Sequence, residues 1–365
     1  MEPIRVLHVV TNMGRGGLET MIMNYYRNID RSKVQFDFLV HRYEEADYDN
    51  EIISMGGKIY HLPKLNPLNP KYIYELNNFF KIHKEYRIVH SHINCLSSII
   101  LKYAKKNNIK VTIAHSHIVD KSKSFKHYIK LIYKKDINKY SDYAFACAEE
   151  AGKWLYLNRK FIVINNAIDI NRYIFNIEKR NYVRDELNIS NKLVIGHVGR
   201  FDEQKNHKFI IEVFNNIHKK YEDSVLLLVG DGKLRTKIEE KVSDLNLSDS
   251  VKFLGIRNDV NDLMQAMDIF LFPSLFEGLP VTIVEAQASG LKCYISDTID
   301  KNSILLSETE VISLNESSKS WSDKILTSYE NKRIDISNNE KLSNFDIKHN
   351  AKELCEFYQN IIVES

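Results

Sequence analysis

Short apolar runs of strand length recur through the first half of the chain, at Ile4 to Thr11, Val34 to His41, Lys58 to Leu62, Arg87 to His90, Lys110 to Ala114, Tyr143 to Cys147 and Phe161 to Ile164. Segments with apolar residues at helical spacing separate most of them, the first from Thr20 to Asn28. Strands of this kind alternating with helices predict a parallel sheet covered on both faces. The alternation returns at Lys192 to Val198, Ser224 to Val229, Val251 to Leu254, Ile269 to Phe272 and Leu291 to Ile295, with helices starting near Asn206, Lys233, Val260 and Pro280. Asn171 to Arg180 reads as a linker between the two halves, and Asn181 to Leu187 as the opening helix of the second. Near the end, Ala351, Leu354, Phe357, Tyr358 and Ile361 fall on one face of a helix from about Asp346 to Ile361, and core packing is its expected role. Ser307 to Glu340 is rich in serine, asparagine and charge and yields no assignment.

A chain of 365 residues with 44% hydrophobic content is long enough for two domains, each with its own core. Met1 to Leu7 lack the features of an export signal, and no run approaches the roughly 18 apolar residues of a membrane span. Cys95, Cys147, Cys293 and Cys355 are far apart, which argues against a zinc site or a disulfide framework and fits a reducing cytoplasm. Charge changes the picture more. Fifteen Lys or Arg against four acids give residues 71–140 a net +11, so the remainder of a chain of net +3 carries −8. Within that segment Phe125, Tyr128, Ile129, Ile132 and Tyr133 share a helical face bordered by Lys123, Lys126, Lys130, Lys134 and Lys135. Such a stripe suits a helix lying on an anionic membrane surface, although ordinary packing against a sheet produces the same pattern.

The richest chemistry lies between Asp268 and Gly290. Ile269 to Phe272 is a buried strand, Pro273 and Gly278 punctuate a loop, and Pro280 suits the first turn of a helix through Ala288. The first N–H groups of that helix face the loop and form a ready site for an anion such as a nucleotide diphosphate. Glu277 precedes the helix and Glu285 lies about one and a half turns inside it, where a carboxylate among apolar neighbours calls for polar partners such as hydroxyls. A second glycine loop, Gly14-Arg15-Gly16-Gly17, follows the first strand, but Glu19 occupies the third glycine position of a dinucleotide fingerprint. His90 and His92, and again His115 and His117, stand in His-Ser-His triplets at strand ends, where ligands bind in parallel sheets.

Phe276-Glu277-Gly278-Leu279-Pro280 followed by Glu285-Ala286 resembles the signature of the family-four retaining glycosyltransferases. The resemblance covers about Arg5 to Tyr294. It implies the GT-B architecture: two Rossmann-like α/β domains with parallel sheets facing across a cleft. An acceptor-binding domain would span 1–168 and a nucleotide-sugar-binding domain 169–345, with a helix at 346–365 returning to the first. By position, Glu277 would contact the donor sugar, Glu285 would grip the ribose hydroxyls, and backbone amides around Gly278 and Leu279 would hold the diphosphate. Arg200 and Lys205 would neutralise that diphosphate, Gly255 would border the base, and Gly16 and Gly17 would let the backbone approach donor or acceptor. His115 would stand near the sugar ring, with His117 as the other candidate for the same role. Ala167 replaces the glycine of a family Asn-Gly-Val-Asp turn, which puts the usual turn geometry in question.

The implied reaction is retaining transfer of a sugar from a nucleotide-diphosphate sugar, a UDP-sugar in the first instance, to a saccharide acceptor. The overall look is that of bacterial enzymes building exopolysaccharide or capsule repeat units on a lipid carrier. Neither a cofactor nor a metal is implied, no Asp-x-Asp metal motif is expected, and no nucleic acid is a partner. The expected location is the cytoplasm, peripherally at the inner face of the cell membrane. A nucleotide-sugar epimerase of the same two-lobed shape is the alternative.

Overall fold

The computed structural model of the protein describes residues 2–117, 125–277, 279–330 and 332–363, with side chains for all of these except 125–129. The chain divides into two units, one made of residues 1–167 and 346–365 and the other of residues 168–345.

The first unit is built on seven strands: β1 (Ile4–Val10), β2 (Val34–Val40), β3 (Ile59–His61), β4 (Ile88–Ser91), β5 (Val111–Ser116), β6 (Tyr143–Ala146) and β7 (Ile162–Val163). They lie in the order β3-β2-β1-β4-β5-β6-β7, every pairing parallel. One face carries a core of Val6, Val10, Phe36, Phe38, Ile113 and Phe145 beneath the helices Gly17–Asn28 and Ile347–Val363. The opposite face buries Leu7, Val9, Leu39 and Val89 against the helices Pro70–Ile82 and Ser97–Lys106. Alternate residues of β1 therefore enter opposite cores, which is why the strand shows no polar face in sequence. The final helix thus belongs to the first unit, where Ile347, Ala351, Leu354, Tyr358 and Ile361 are buried.

The second unit has six strands: β8 (Leu193–Val198), β9 (Ser224–Val229), β10 (Val251–Gly255), β11 (Ile269–Phe272), β12 (Lys292–Ser296) and β13 (Glu310–Ile312). Their order is β10-β9-β8-β11-β12-β13, again wholly parallel. Both sheets thus have the doubly wound order, which reverses beside the first strand: between β1 and β4 in one unit, between β8 and β11 in the other. Crevices open at such reversals, beyond the carboxyl ends of the strands.

Two segments differ from the sequence expectation. Part of the expected linker is helical, since the second unit's opening helix begins at Ile177; the Asn176 side chain accepts from Lys179 N and caps it. Arg180 and Arg184 on that helix both pair with Asp268, which anchors it to the start of β11. The polar stretch after Ser307 holds β13 and the helix Ser318–Ser328, capped by Ser317 and seated by buried Trp321 and Ile325. Its apolar positions are too few to stand out against the serines. Ala167 is fully buried and lies outside the left-handed region, so the turn forms without the positive φ a glycine would supply. Among the described residues no helix is long and apolar enough to cross a membrane.

Candidate active site

In the second unit, the loops leaving β8 and β11 emerge side by side at the reversal, and three hydrogen bonds tie them together. Leu275 N donates to Gln204 O (2.8 Å), Gln204 Nε2 to Phe276 O (2.9 Å) and Asn206 Nδ2 to Pro273 O (3.1 Å). The first loop forms a single turn over Glu203–Lys205, capped by Asp202 and ended by Asn206 in the left-handed conformation. That turn aims Lys205 at the second loop. Lys205 Nζ stands 2.5 Å from Glu277 Oε1 and 4.6 Å above the Phe272 ring, the lysine and glutamate side chains being 16% and 10% exposed. Two residues expected to act independently are therefore joined in a largely buried ion pair. Removing either partner would leave an uncompensated charge.

Arg200 stands apart from this pair: 71% exposed, it donates through Nε to Asp202 at 2.8 Å. The turn that carries it packs on Gly230-Asp231-Gly232 beyond β9. A Cβ on Gly230 would fall 2.2 Å from Gly199 O, and one on Gly232 2.6 Å from Phe201 O, so only glycine allows these loops to touch. Gly255 ends β10, on the edge of the sheet, with φ of 66°.

Pro280 is the N-cap of the helix Val281–Ala288 and offers no side-chain acceptor to its first turn, which also contains no acid. Leu279 is buried just before it, and Gly278 lies outside the described residues. Glu285 faces inward and is buried; Oε1 accepts a 2.6 Å hydrogen bond from the Tyr173 hydroxyl. Burial raises the Glu285 carboxyl above its ordinary range, against the smaller opposing effects of Tyr173 and Arg172. The hydroxyl partner expected of this carboxylate is thus present within the protein. Tyr173 was missed because it falls in the stretch read as linker.

In the first unit Gly17 begins the helix Gly17–Asn28 and a Cβ there would meet nothing within 4 Å, whereas one on Gly16 would fall 2.3 Å from a Glu19 carboxylate oxygen. Glu19 therefore lies over the start of this helix, where the fingerprint would have left room for phosphate. An Asp-x-Asp triplet does occur, contrary to expectation, at Asp47-Tyr48-Asp49. Its carboxylates accept loop amides, Arg15 N to Asp47 Oδ2 at 3.1 Å and Ala46 N to Asp49 Oδ2 at 2.9 Å, which gives the triplet a structural use.

The histidines form one cluster. A spacing of two on a strand puts His90 and His92 on one face, and His115 and His117 likewise; register sets His90 beside His8 of β1. Five imidazoles thus meet on the face covered by the last helix. One hydrogen-bonded chain links His8 Nδ1 to His92 Nε2 (2.9 Å) and His92 Nδ1 to His117 Nε2 (2.9 Å). The other links His115 Nδ1 to His90 Nε2 (3.1 Å) and His90 Nδ1 to the Tyr358 hydroxyl (2.7 Å). Burial pushes all five well below the usual histidine range, His8 and His117 to about 3, so the cluster is neutral. His115 is only 1% exposed, while His117 is half-buried. The doubled His-Ser-His was the sequence signal; His8 and Tyr358 gave none.

Two family models match the chain, Glycosyltransferase Family 4 over residues 15–172 and Glycosyl transferases group 1 over residues 178–348. A curated relative, the putative glycosyltransferase EpsF of Bacillus subtilis (strain 168), is 36% identical over 88% of this chain and 86% of its own length. The chain belongs to the family-four glycosyltransferases. The glycosyltransferase is also 27% identical to the capsular polysaccharide biosynthesis glycosyltransferase CapH of Staphylococcus aureus, over 98% of this chain and 99% of CapH. Its GT-B fold is shared with Anabaena Alr3699/HepE, solved in complex with UDP and glucose, at a TM-score of 0.77 and 17% identity over 98% of this chain and 100% of that one.

Proposed function

We propose that this glycosyltransferase moves a sugar from a UDP-sugar to a saccharide acceptor with retention of anomeric configuration, in the assembly of a capsular or extracellular polysaccharide. The observation that carries the reading is the Lys205–Glu277 pair at the strand-order reversal, next to the uncapped helix Val281–Ala288. A diphosphate at that helix would meet the positive end of its dipole together with Arg200 and Lys205. Glu277, held by Lys205, would orient the sugar, and Glu285 would accept from the ribose hydroxyls. As the leaving group separates, Arg200 and Lys205 balance its growing charge, which gives a route that needs no metal ion. The donor phosphate then takes the acceptor's proton, and His115 orients and stabilises charge at the sugar. The UDP in HepE and the full-length match to CapH support the donor and the product class.

The test is transfer from a panel of nucleotide sugars, with and without an acceptor such as a short-chain polyprenyl diphosphate sugar, in EDTA. We expect acceptor-dependent release of UDP and a product that keeps the donor's anomeric configuration. Conversion of the donor without acceptor would identify an epimerase instead, and activity lost in EDTA and restored by Mg²⁺ would overturn the metal-free route.

A lipid-linked acceptor fits the basic segment of the first unit. Ile132 on the helix Phe125–Lys134 is 65% exposed, while Tyr133 packs against the core and Lys134 covers Trp154. The side chains of Lys123, Phe125, Lys126, Tyr128 and Ile129, the rest of the expected stripe with its border, lie outside those described. Co-sedimentation with vesicles should require anionic lipid and weaken in salt and in a Lys130→Glu, Lys135→Glu protein. Binding unchanged by that charge reversal would leave the stripe to core packing.

A further inference from the structure

Five neutral imidazoles packed together without a carboxylate are an unusual content for a sheet face, and the transfer reaction uses one of them at most. Each neutral imidazole offers one donor and one acceptor, so each of the two chains can run in either direction. Among the described residues, His8 Nε2 and His115 Nε2 have no hydrogen-bond partner, although both are buried. Such orphaned nitrogens are costly unless something else meets them.

We propose that His92, His115 and His117 bind a divalent transition cation of the zinc class. One ring nitrogen of each lies within 4.8 Å of the others. His92 Nδ1 and His117 Nε2 already face each other at 2.9 Å. Nitrogens on a tetrahedral zinc at about 2.0–2.1 Å stand roughly 3.3 Å apart, so that pair need open by only a few tenths of an ångström. Imidazole-only ligation suits zinc, copper or nickel and disfavours magnesium and calcium.

Ligation also fixes the protons. With His115 bound through Nε2, its Nδ1–H donates to His90, whose own Nδ1–H then donates to the Tyr358 oxygen. With His92 bound through Nδ1, its Nε2–H donates to His8. His115 and His92 thereby gain the outer partner that metal-bound histidines characteristically have. The alternative trio His8, His90 and His92 is wholly buried, whereas half-buried His117 gives an ion a way in. His117 is also held by its backbone, whose N–H donates to Asn94 Oδ1 at 2.9 Å. Occupancy removes the free nitrogen of His115. A consequence, which rests on the proposed catalytic role of His115, is that zinc inhibits transfer.

The experiment uses tag-free protein, stripped with EDTA and dialysed. Titration with Zn²⁺ should give one equivalent per chain, unaffected by excess Mg²⁺. His117→Gln should weaken binding at least tenfold while the metal-free melting temperature holds. Co²⁺ in place of Zn²⁺ should show no thiolate charge-transfer band. Binding well below one equivalent, undiminished in His117→Gln, or accompanied by a cobalt–thiolate band would overturn the site. Stoichiometric binding without inhibition would leave the site standing and count only against the catalytic role of His115.

Discussion

The two units share a strand order and a place where that order reverses, yet they collect opposite chemistry there. In the second unit the reversal holds charge: Lys205 against Glu277, with Arg200 in solvent nearby. The first unit gathers five uncharged imidazoles on β1, β4 and β5 and just beyond the ends of the last two. Fold alone therefore decides where side chains converge, and the few residues at the strand ends decide what converges. Lys205 and Glu277 can stay largely buried in one because each is the other's counter-charge; the imidazoles can stay buried in the other because they carry none.

Acid should separate the units most strongly. Among the described residues six histidines of the first unit are held below their ordinary range, His8, His41, His90, His92, His115 and His117, against His197 and His207 in the second. Each stays neutral in the fold and charges in the unfolded chain below about pH 6.5. Its contribution is complete above that pH and is lost as pH falls, at up to about 1.4 kcal/mol per pH unit. Hydrogen exchange at pH 7.5 and pH 5 should show amides of β4 and β5 losing far more protection than those of β8 and β11. Parallel loss in the two sheets would break the comparison.

Within the charged site, Arg200→Ala and Lys205→Ala should each lower turnover about a hundredfold or more. Only Lys205→Ala should also destabilise the protein, by about 3 kcal/mol, because it strands the Glu277 charge while Arg200 is already in solvent. Adding Glu277→Gln to Lys205→Ala should restore the melting temperature without restoring turnover. A melting temperature unmoved by Lys205→Ala would mean that the pair is not formed in solution.

The smallest effect concerns Glu285. Glu285→Gln should weaken UDP about tenfold by calorimetry, through loss of charge-assisted hydrogen bonds, and yet raise the melting temperature. Burial raises the Glu285 carboxyl, so its ionised form costs stability that grows as pH rises through that raised value and vanishes in acid. Glutamine still accepts from Tyr173 and carries no charge to desolvate. Relief of about 1 kcal/mol moves the midpoint by roughly 2–4 °C, with the gain fading toward low pH. If Glu277→Gln weakens UDP more than Glu285→Gln does, Glu277 grips the ribose and Glu285 meets the sugar, the reverse of the proposed assignment.

The strands were legible because a doubly covered parallel sheet writes each of them as a solid apolar run. β13 was not, having Ile312 as its only buried residue. For the candidate site, the family resemblance singled out Glu277, Glu285, Arg200 and Lys205, but the pairing of Lys205 with Glu277 was invisible: it depends on two loops 72 residues apart being stitched by hydrogen bonds. The histidine triplets were visible as sequence, yet only strand register, setting His8 beside His90, makes them one cluster. Tyr173 and Tyr358 lie in a turn and a remote helix, where no local pattern distinguishes a tyrosine that donates to a carboxylate from one that fills a core.

The first unit is assembled from both ends of this sequence, while the second is one uninterrupted stretch between them. During synthesis the second unit has all of its residues before the helix Ile347–Val363 exists. Until that helix emerges, the core over Phe36 and Phe38 has only the helix Gly17–Asn28 above it, and His90 has no Tyr358 to meet. Completion of the first unit therefore waits on a segment made after the whole of the second, and a chain stopped before that segment would carry a complete second unit and a half-covered, aggregation-prone sheet.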